Sequence, residues 1–177
     1  MINVRQTIAD DLPGILAITN AEIEHGYAHF GTEPLELEDV ARDFAAAAGR
    51  YPWVTGEAAG GVVGFARAYP WKPRGGYAWS AEIGVYVLAS HRGRGAGRAL
   101  YAELFPRLRG AGLRCVLAGI SLPNAASVRL HESFGMKRVG TLTRVGFKLG
   151  VWRDVGYWQL VWGEAHEPPG KPAGFLV

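Results

Sequence analysis

The chain has 177 residues, 49% of them hydrophobic and 20% charged, with a formal charge of +3 and a pI near 9.2. These proportions suit one folded domain with a real core and exclude wholesale disorder or a fibrous class. Cys115 is the single cysteine, which excludes an intrachain disulfide framework or a cysteine-rich zinc site; the basic residues are too scattered, and lack the spacing, for a helix-turn-helix or zinc finger.

In chain order, "INVRQ" reads as a first strand. Asp10 or Asp11 can then cap a helix with Pro13 in its tolerant first turn and Leu12, Ile15, Leu16 and Ile23 as its buried stripe. After "HFGTEP" a second helix carries Glu36, Glu38 and Asp39 near its positive end and Leu37, Val40 and Phe44 at spacings of three and four. "WVTGEA" and "GVVGFARAY", joined by "AGG", read as a hairpin, and "PWKPRGG" as a loop. "YAWSAEIGVYV" alternates, with Ala81, Ile83, Val85 and Val87 on one face and Glu82, Gly84 and Tyr86 on the other.

A helix follows from Ala96 to about Gly110, with Leu100, Leu104 and Leu108 at helical spacing; Pro106 predicts a kink or an early end. "RCVLAGI" is a strand that packs Cys115, "NAASVRLHESFG" a helix stopped by Gly135, and "KRVGTLTRVGFKLG" and "DVGYWQLVW" are two further strands. The order is β-α-α-β-β-β-α-β-α-β-β, an α/β domain over residues 1–163, followed by a Pro- and Gly-rich tail over 164–177. No stretch is apolar for the ~20 residues of a membrane span. The N-terminal residues lack the apolar core of an export signal, so the expectation is a cytoplasmic protein.

The richest segment is "AEIGVYVLASHRGRGAGRAL". Gly93, Gly95 and Gly97 allow backbone amides to approach a ligand, and the following helix turns its positive end toward them. This arrangement suits phosphate. It lacks the Gly-Lys-Ser/Thr of a P-loop and the spacing of the dinucleotide fingerprint. Taken alone, it also fits a flexible strand-to-helix connection.

"RGRGAG", between a Val-rich strand and a helix, fits the Arg/Gln-x-x-Gly-x-Gly/Ala signature, and in this the chain resembles the GNAT superfamily of N-acetyltransferases. "RYPWVTGE", "PWKPRGGYAWSAEIGVYV", "SLPNAASVRLHESFGM" and "GFKLGVWRDVGYWQL" are similar to the corresponding segments of the phosphinothricin and methionine sulfoximine N-acetyltransferases, from residue 3 to about 162. The resemblance implies the GNAT acyl-CoA N-acyltransferase fold, a central mixed, largely antiparallel twisted sheet flanked by helices. It also implies that Arg92, Gly93, Arg94, Gly95, Ala96, Gly97 and Arg98 bind the pyrophosphate of acetyl-CoA. Val85, Tyr86 and Val87 then present backbone groups to the pantetheine arm, Asn124 holds it, and Ser133 contacts it further along.

Acetyl transfer needs a free amine, a polarised thioester and a proton for the thiolate. The resemblance places Glu82 as general base and His131, on one helical face with Asn124, as acid or base. A zwitterionic acceptor with an acidic tail needs cations, and Lys72, Arg74 and Lys148 are the candidates, with Phe30 and Trp71 as walls. Each of these cations also reads as a solvated surface charge, and each aromatic as plain packing.

One departure concerns the acceptor: the related enzymes read Asn-Phe-Arg-Thr-Glu-Pro where this chain reads His29-Phe30-Gly31-Thr32-Glu33-Pro34, so an arginine is absent. The leading expectation is acetyl transfer to phosphinothricin, methionine sulfoximine, methionine sulfone or a similar amino acid, by a homodimer that needs no metal and binds neither nucleic acid nor membrane. The alternatives are another amine, such as a polyamine, an aminoglycoside or a protein N-terminus, and a CoA-binding sensor without turnover.

Overall fold

The computed structural model describes residues 2–164 and residue 170; apart from Glu164 and Gly170, the expected tail lies outside the described residues. The elements follow the expected order: β1 (Asn3–Gln6), α1 (Leu12–His25), α2 (Leu37–Ala47), β2 (Trp53–Ala58), β3 (Gly61–Pro70), β4 (Ser80–Val87), α3 (Ala96–Gly110), β5 (Cys115–Leu122), α4 (Ala125–Ser133), β6 (Lys137–Lys148) and β7 (Val151–Val161). The strands form one sheet in the order β1-β2-β3-β4-β5-β7-β6. Every pair is antiparallel except β4 with β5. This is the mixed, largely antiparallel sheet flanked by helices that the resemblance implies. No helix among the described residues is long and apolar enough to cross a membrane.

The alternation in β4 sorts the core. Ala81 and Ile83 are buried with Ala66, Ala68, Val116 and Ala118, on the face that Leu100 of α3 approaches at Gly64. α2 covers the opposite face, where Phe44 meets Trp53 edge-on at 5.5 Å. The β2–β3 connection is two residues, Ala59 and Gly60, both at positive φ, the geometry that matches a hairpin's twist. At the start of α1 neither aspartate caps by side chain; Asp11 instead accepts from the Ile8 amide at 2.9 Å and pairs with Arg5 at 2.7 Å.

α3 runs through Pro106 to Gly110, so the expected early end does not occur. A mid-helix proline costs about 3 kcal/mol. Leu100, Leu104 and Leu108 are fully buried around it, each stabilising by about 1.5–3 kcal/mol. Packing outweighs the missing donor.

The parallel pair is unusual in its brevity. β4 and β5 share only the rungs Ser80–Cys115, Ala81–Val116 and Glu82–Leu117. Beyond Glu82 they part, although β4 stays laddered to β3 as far as Val87 and β5 to β7 as far as Leu122. Each strand is held on its outer side while a gap opens between them.

Candidate active site

Period-2 geometry collects one set of side chains where the strands part. Arg67 and Tyr69 of β3, Glu82, Gly84 and Tyr86 of β4, Gly119 and Ser121 of β5, and Val155 and Tyr157 of β7 line a cavity of about 270 Å³, roofed by Ala28, His29 and Phe30 from the α1–α2 loop. Phe30 lies against Gly146, where a Cβ would come within 2.2 Å of its ring. Another cavity, of about 300 Å³ beside α2, is lined by Phe44, Arg50 and Tyr51 but holds no carboxylate. Chemistry rather than size distinguishes the two.

Burial raises the Glu82 carboxyl above its ordinary value, while a hydrogen bond from Tyr69, the charge of Lys72 and the Gly119 amide oppose the shift. Gly119 leaves room for this carboxylate, since a Cβ would lie 3.2 Å from Glu82 Oε1 and push it aside. His29 is held below the usual histidine value by burial, then by the charges of Arg67 and Lys148.

The gap between β4 and β5 adjoins this cavity, sharing Gly84, Tyr86, Gly119 and Ser121 with it, and continues along Val85, Asn124, Ser127 and His131. Asn124 caps α4, its Oδ1 accepting from the Ser127 amide at 3.1 Å. His131 is 3% exposed. Its Nδ1 lies 2.7 Å from the Ser127 carbonyl, which can only accept, so the proton resides on Nδ1. Nε2 therefore accepts from the buried Tyr101 hydroxyl at 2.8 Å, and burial pushes the imidazole toward its neutral form.

At the far end of the gap, Gly93 and Gly95 adopt φ of 71° and 84°, with Gly95 as the N-cap of α3. An L-residue forced into that left-handed region loses about 1–2 kcal/mol. The turn thus presents the first amides of α3 without a side chain in the way.

Comparison with known proteins joins these parts. The model of the acetyltransferase (GNAT) family matches residues 16–136. The chain belongs to the GNAT acetyltransferase family. The phosphinothricin N-acetyltransferase of Streptomyces viridochromogenes is 40% identical, over 89% of this chain and 86% of that protein. The L-methionine sulfoximine/L-methionine sulfone acetyltransferase of Pseudomonas aeruginosa is 37% identical over 89% and 93%. A GNAT phosphinothricin acetyltransferase from Sinorhizobium meliloti, solved in complex with AcCoA, superposes with a TM-score of 0.92 at 30% identity, over 98% of this chain and 95% of that one. This GNAT protein is accordingly an acetyl-CoA-dependent N-acetyltransferase.

Within the GNAT frame, the expected residues divide. Glu82, Phe30 and Tyr86 line the cavity, while His131, Asn124, Val85 and Tyr86 line the gap. Trp71 meets Tyr157 edge-on at 5.6 Å, with Lys72 4.7 Å over its ring, so both reach the cavity rim through Tyr157.

Several side chains have other work. Arg92 donates to the Val87 carbonyl and to Glu22, both at 2.9 Å, tying the glycine turn to β4 and α1. Gly97 lets α4 pack close, since a Cβ there would meet Leu130 at 3.0 Å. Arg98 lies over the Phe134 ring, and Arg94 is exposed. Ser133 donates to the Leu130 carbonyl of its own helix at 2.7 Å and lies outside both linings.

Two of the cations expected to meet the acceptor lie outside the cavity lining. Lys148 is buried and donates to the Gly31 carbonyl, away from the cavity lining, because the ammonium secures the α1–α2 loop against β6. Arg74 is exposed, outside the lining, where its carbonyl accepts from the Tyr77 amide in a turn. Arg67, Tyr69, His29, Tyr157 and Ser121 also line the cavity and are not among the expected residues. Arg67 and Tyr69 carried a signal: they alternate with the buried Ala66 and Ala68 and share a face with Phe65.

Proposed function

We propose that this enzyme moves the acetyl group of acetyl-CoA to the amino group of a small amino acid of the phosphinothricin or methionine sulfoximine type. The observation that carries this reading is the position of Glu82, on the last β4–β5 rung, where the acceptor cavity adjoins the gap. The pantetheine arm enters the gap as a strand-like ligand along Val85–Val87, as an extended chain adds to a free edge. The pyrophosphate meets the amides of residues 93–98 at the start of α3, and Asn124 borders the arm. In this assignment Arg92 anchors the loop.

The acceptor ammonium gives one proton to Glu82, which passes it to water. The free amine attacks the thioester carbon, and backbone donors at the unladdered edge of β4 stabilise the oxyanion. When the C–S bond breaks, the nitrogen loses a second proton and the thiolate gains one. His131 serves this second transfer from the gap side. Being neutral, it enters as a proton acceptor that hands the proton on, and the Tyr101 hydroxyl at Nε2 is the group that must yield.

Among the described residues, no cluster of three or more His, Cys, Asp and Glu side chains is placed to hold a metal ion. Arg67 on the cavity wall and Lys72 at its rim disfavour polyamines and aminoglycosides, which bring several positive charges. The expected result is CoA thiol release with phosphinothricin, methionine sulfoximine or methionine sulfone, and none with spermidine or an aminoglycoside. Acetyl-CoA binding without turnover of any amine overturns the enzyme in favour of a sensor.

A cytoplasmic homodimer completes the proposal. Acetyl-CoA is an intracellular metabolite, and the edge hairpin exposes Phe147 and Trp152 side by side on one face, with ring centres 5.3 Å apart. Exposed aromatics on an edge hairpin favour an interface, and a second copy of the chain is the partner. Sedimentation at micromolar concentration should give twice the chain mass; a monomer removes the dimer.

A further inference from the structure

Arg67 stands on β3 opposite Gly84, with Tyr69 beside it opposite Glu82. The guanidinium lies 5.0 Å from the centre of the Trp53 ring and 5.7 Å from that of Tyr69, and its side chain is 16% exposed. Two aromatic faces therefore hold its plane.

Its hydrogen bonding is incomplete by comparison. The charge partner, Asp43, is itself exposed and lies 3.4 Å from Nη1, beyond the 2.7–2.9 Å of a tight charge-assisted bond. Nε is buried without a partner. A guanidinium offers five donors in a fixed fork, and buried donors left unpaired are costly. Such a group, fixed in orientation and under-partnered on the wall of a cavity, is suited to an anion from outside the protein.

The rest of the cavity agrees. Among its lining residues Arg67 is the one permanent cation, since His29 is held neutral. Lys148, the buried cation nearby, is committed to Gly31. Across the β3–β4 ladder, Arg67 and Glu82 are diagonal neighbours, whose backbones lie about 7–8 Å apart. A zwitterion fits between them, ammonium toward Glu82 and acid toward Arg67.

We propose that Arg67 binds the acidic group of the acceptor amino acid and so selects amino acids over simple amines. This rests on the reading of the enzyme as an amino-acid N-acetyltransferase. The position on β3 also supplies the cation that Gly31 does not.

The test compares methionine sulfone, its carboxamide, phosphinothricin and spermidine with the intact protein and with Arg67→Gln and Arg67→Lys. Loss of a charged hydrogen-bonded pair predicts that Arg67→Gln lowers kcat/KM for methionine sulfone by about 10- to 100-fold, chiefly through KM. Arg67→Lys falls between, KM for acetyl-CoA stays unchanged, and the preference for the acid over its carboxamide collapses. An equal loss for methionine sulfone and phosphinothricin identifies the α-carboxylate as the bound group; a larger loss for phosphinothricin identifies the side-chain acid.

Arg67→Gln that keeps the full preference for acid over carboxamide overturns the proposal, as does an equal loss on both, which marks a structural role. If amino acids turn over and Arg67→Gln matches the parent, only the Arg67 assignment fails. If spermidine turns over and no amino acid does, the acceptor reading fails and Arg67 with it.

Discussion

Glu82→Gln is expected to lower kcat by about 10²–10⁴-fold, the usual contribution of a general base, with KM for acetyl-CoA nearly unchanged. The amide keeps the shape of the side chain but has no basic oxygen, so chemistry is lost while the gap and the glycine turn remain. The parent should lose kcat/KM as pH falls through the raised Glu82 pKa, and the variant should show no such limb. Lys72→Gln removes a cation that favours the carboxylate, and Tyr69→Phe removes a hydrogen bond with the same effect. Each should move the acidic limb to higher pH.

The same shift sets a sign for stability. Because burial raises the folded pKa of Glu82, the native state holds more protons than the unfolded chain between the ordinary carboxylate value and the raised one. Stability contributed by the protonated form is complete below that window and is lost as pH rises through it. Glu82→Gln should therefore raise Tm at pH 7 and leave it nearly unchanged near pH 4. A kcat within tenfold of the parent, with the acidic limb intact, removes Glu82 as the base.

His131→Ala should cost about 3 kcal/mol of stability, since it strands the buried Tyr101 hydroxyl and opens a cavity beneath α4. For a chain of this size the loss lowers Tm by about 6–12 °C. Tyr101→Phe alone should cost about 1 kcal/mol. Removing both polar partners in a His131→Leu/Tyr101→Phe pair should recover part of the His131→Ala loss, because no buried donor is then left unpaired. Turnover of that folded pair separates chemistry from packing: normal kcat would end the role of His131 in proton transfer, and a loss despite a restored Tm would support it.

Element order was legible because periodicity is local: Leu100, Leu104 and Leu108 declare α3, and the alternation through Glu82 declares β4. The strand carrying Glu82 and the glycine turn were legible for the same reason, as contiguous patterns. The β3 wall of the cavity was not. Arg67 neighbours Glu82 only through the β3–β4 register, set across the nine-residue connection 71–79, and no period within either strand reports it. The partners of Lys148 and Arg92 were equally illegible. A cation read from sequence carries no mark of whether a carbonyl such as that of Gly31, or a buried carboxylate such as Glu22, already occupies it. Gly97 joined a ligand motif on its spacing, while its close neighbour is Leu130.

The three rungs between β4 and β5 divide the sheet into two leaves, β1 to β4 and β5 to β7, stitched at one end. When such leaves open or close, displacement grows with distance from the stitch. Glu82 lies on its last rung, and the glycine turn lies at the far end of the gap. The carboxylate is thus the nearly stationary point of any breathing of the sheet, while the mouth of the gap, where the proposal seats CoA, has the greatest travel. In the proposed reaction, exit of a bulky product and constancy of the base come from the same short ladder.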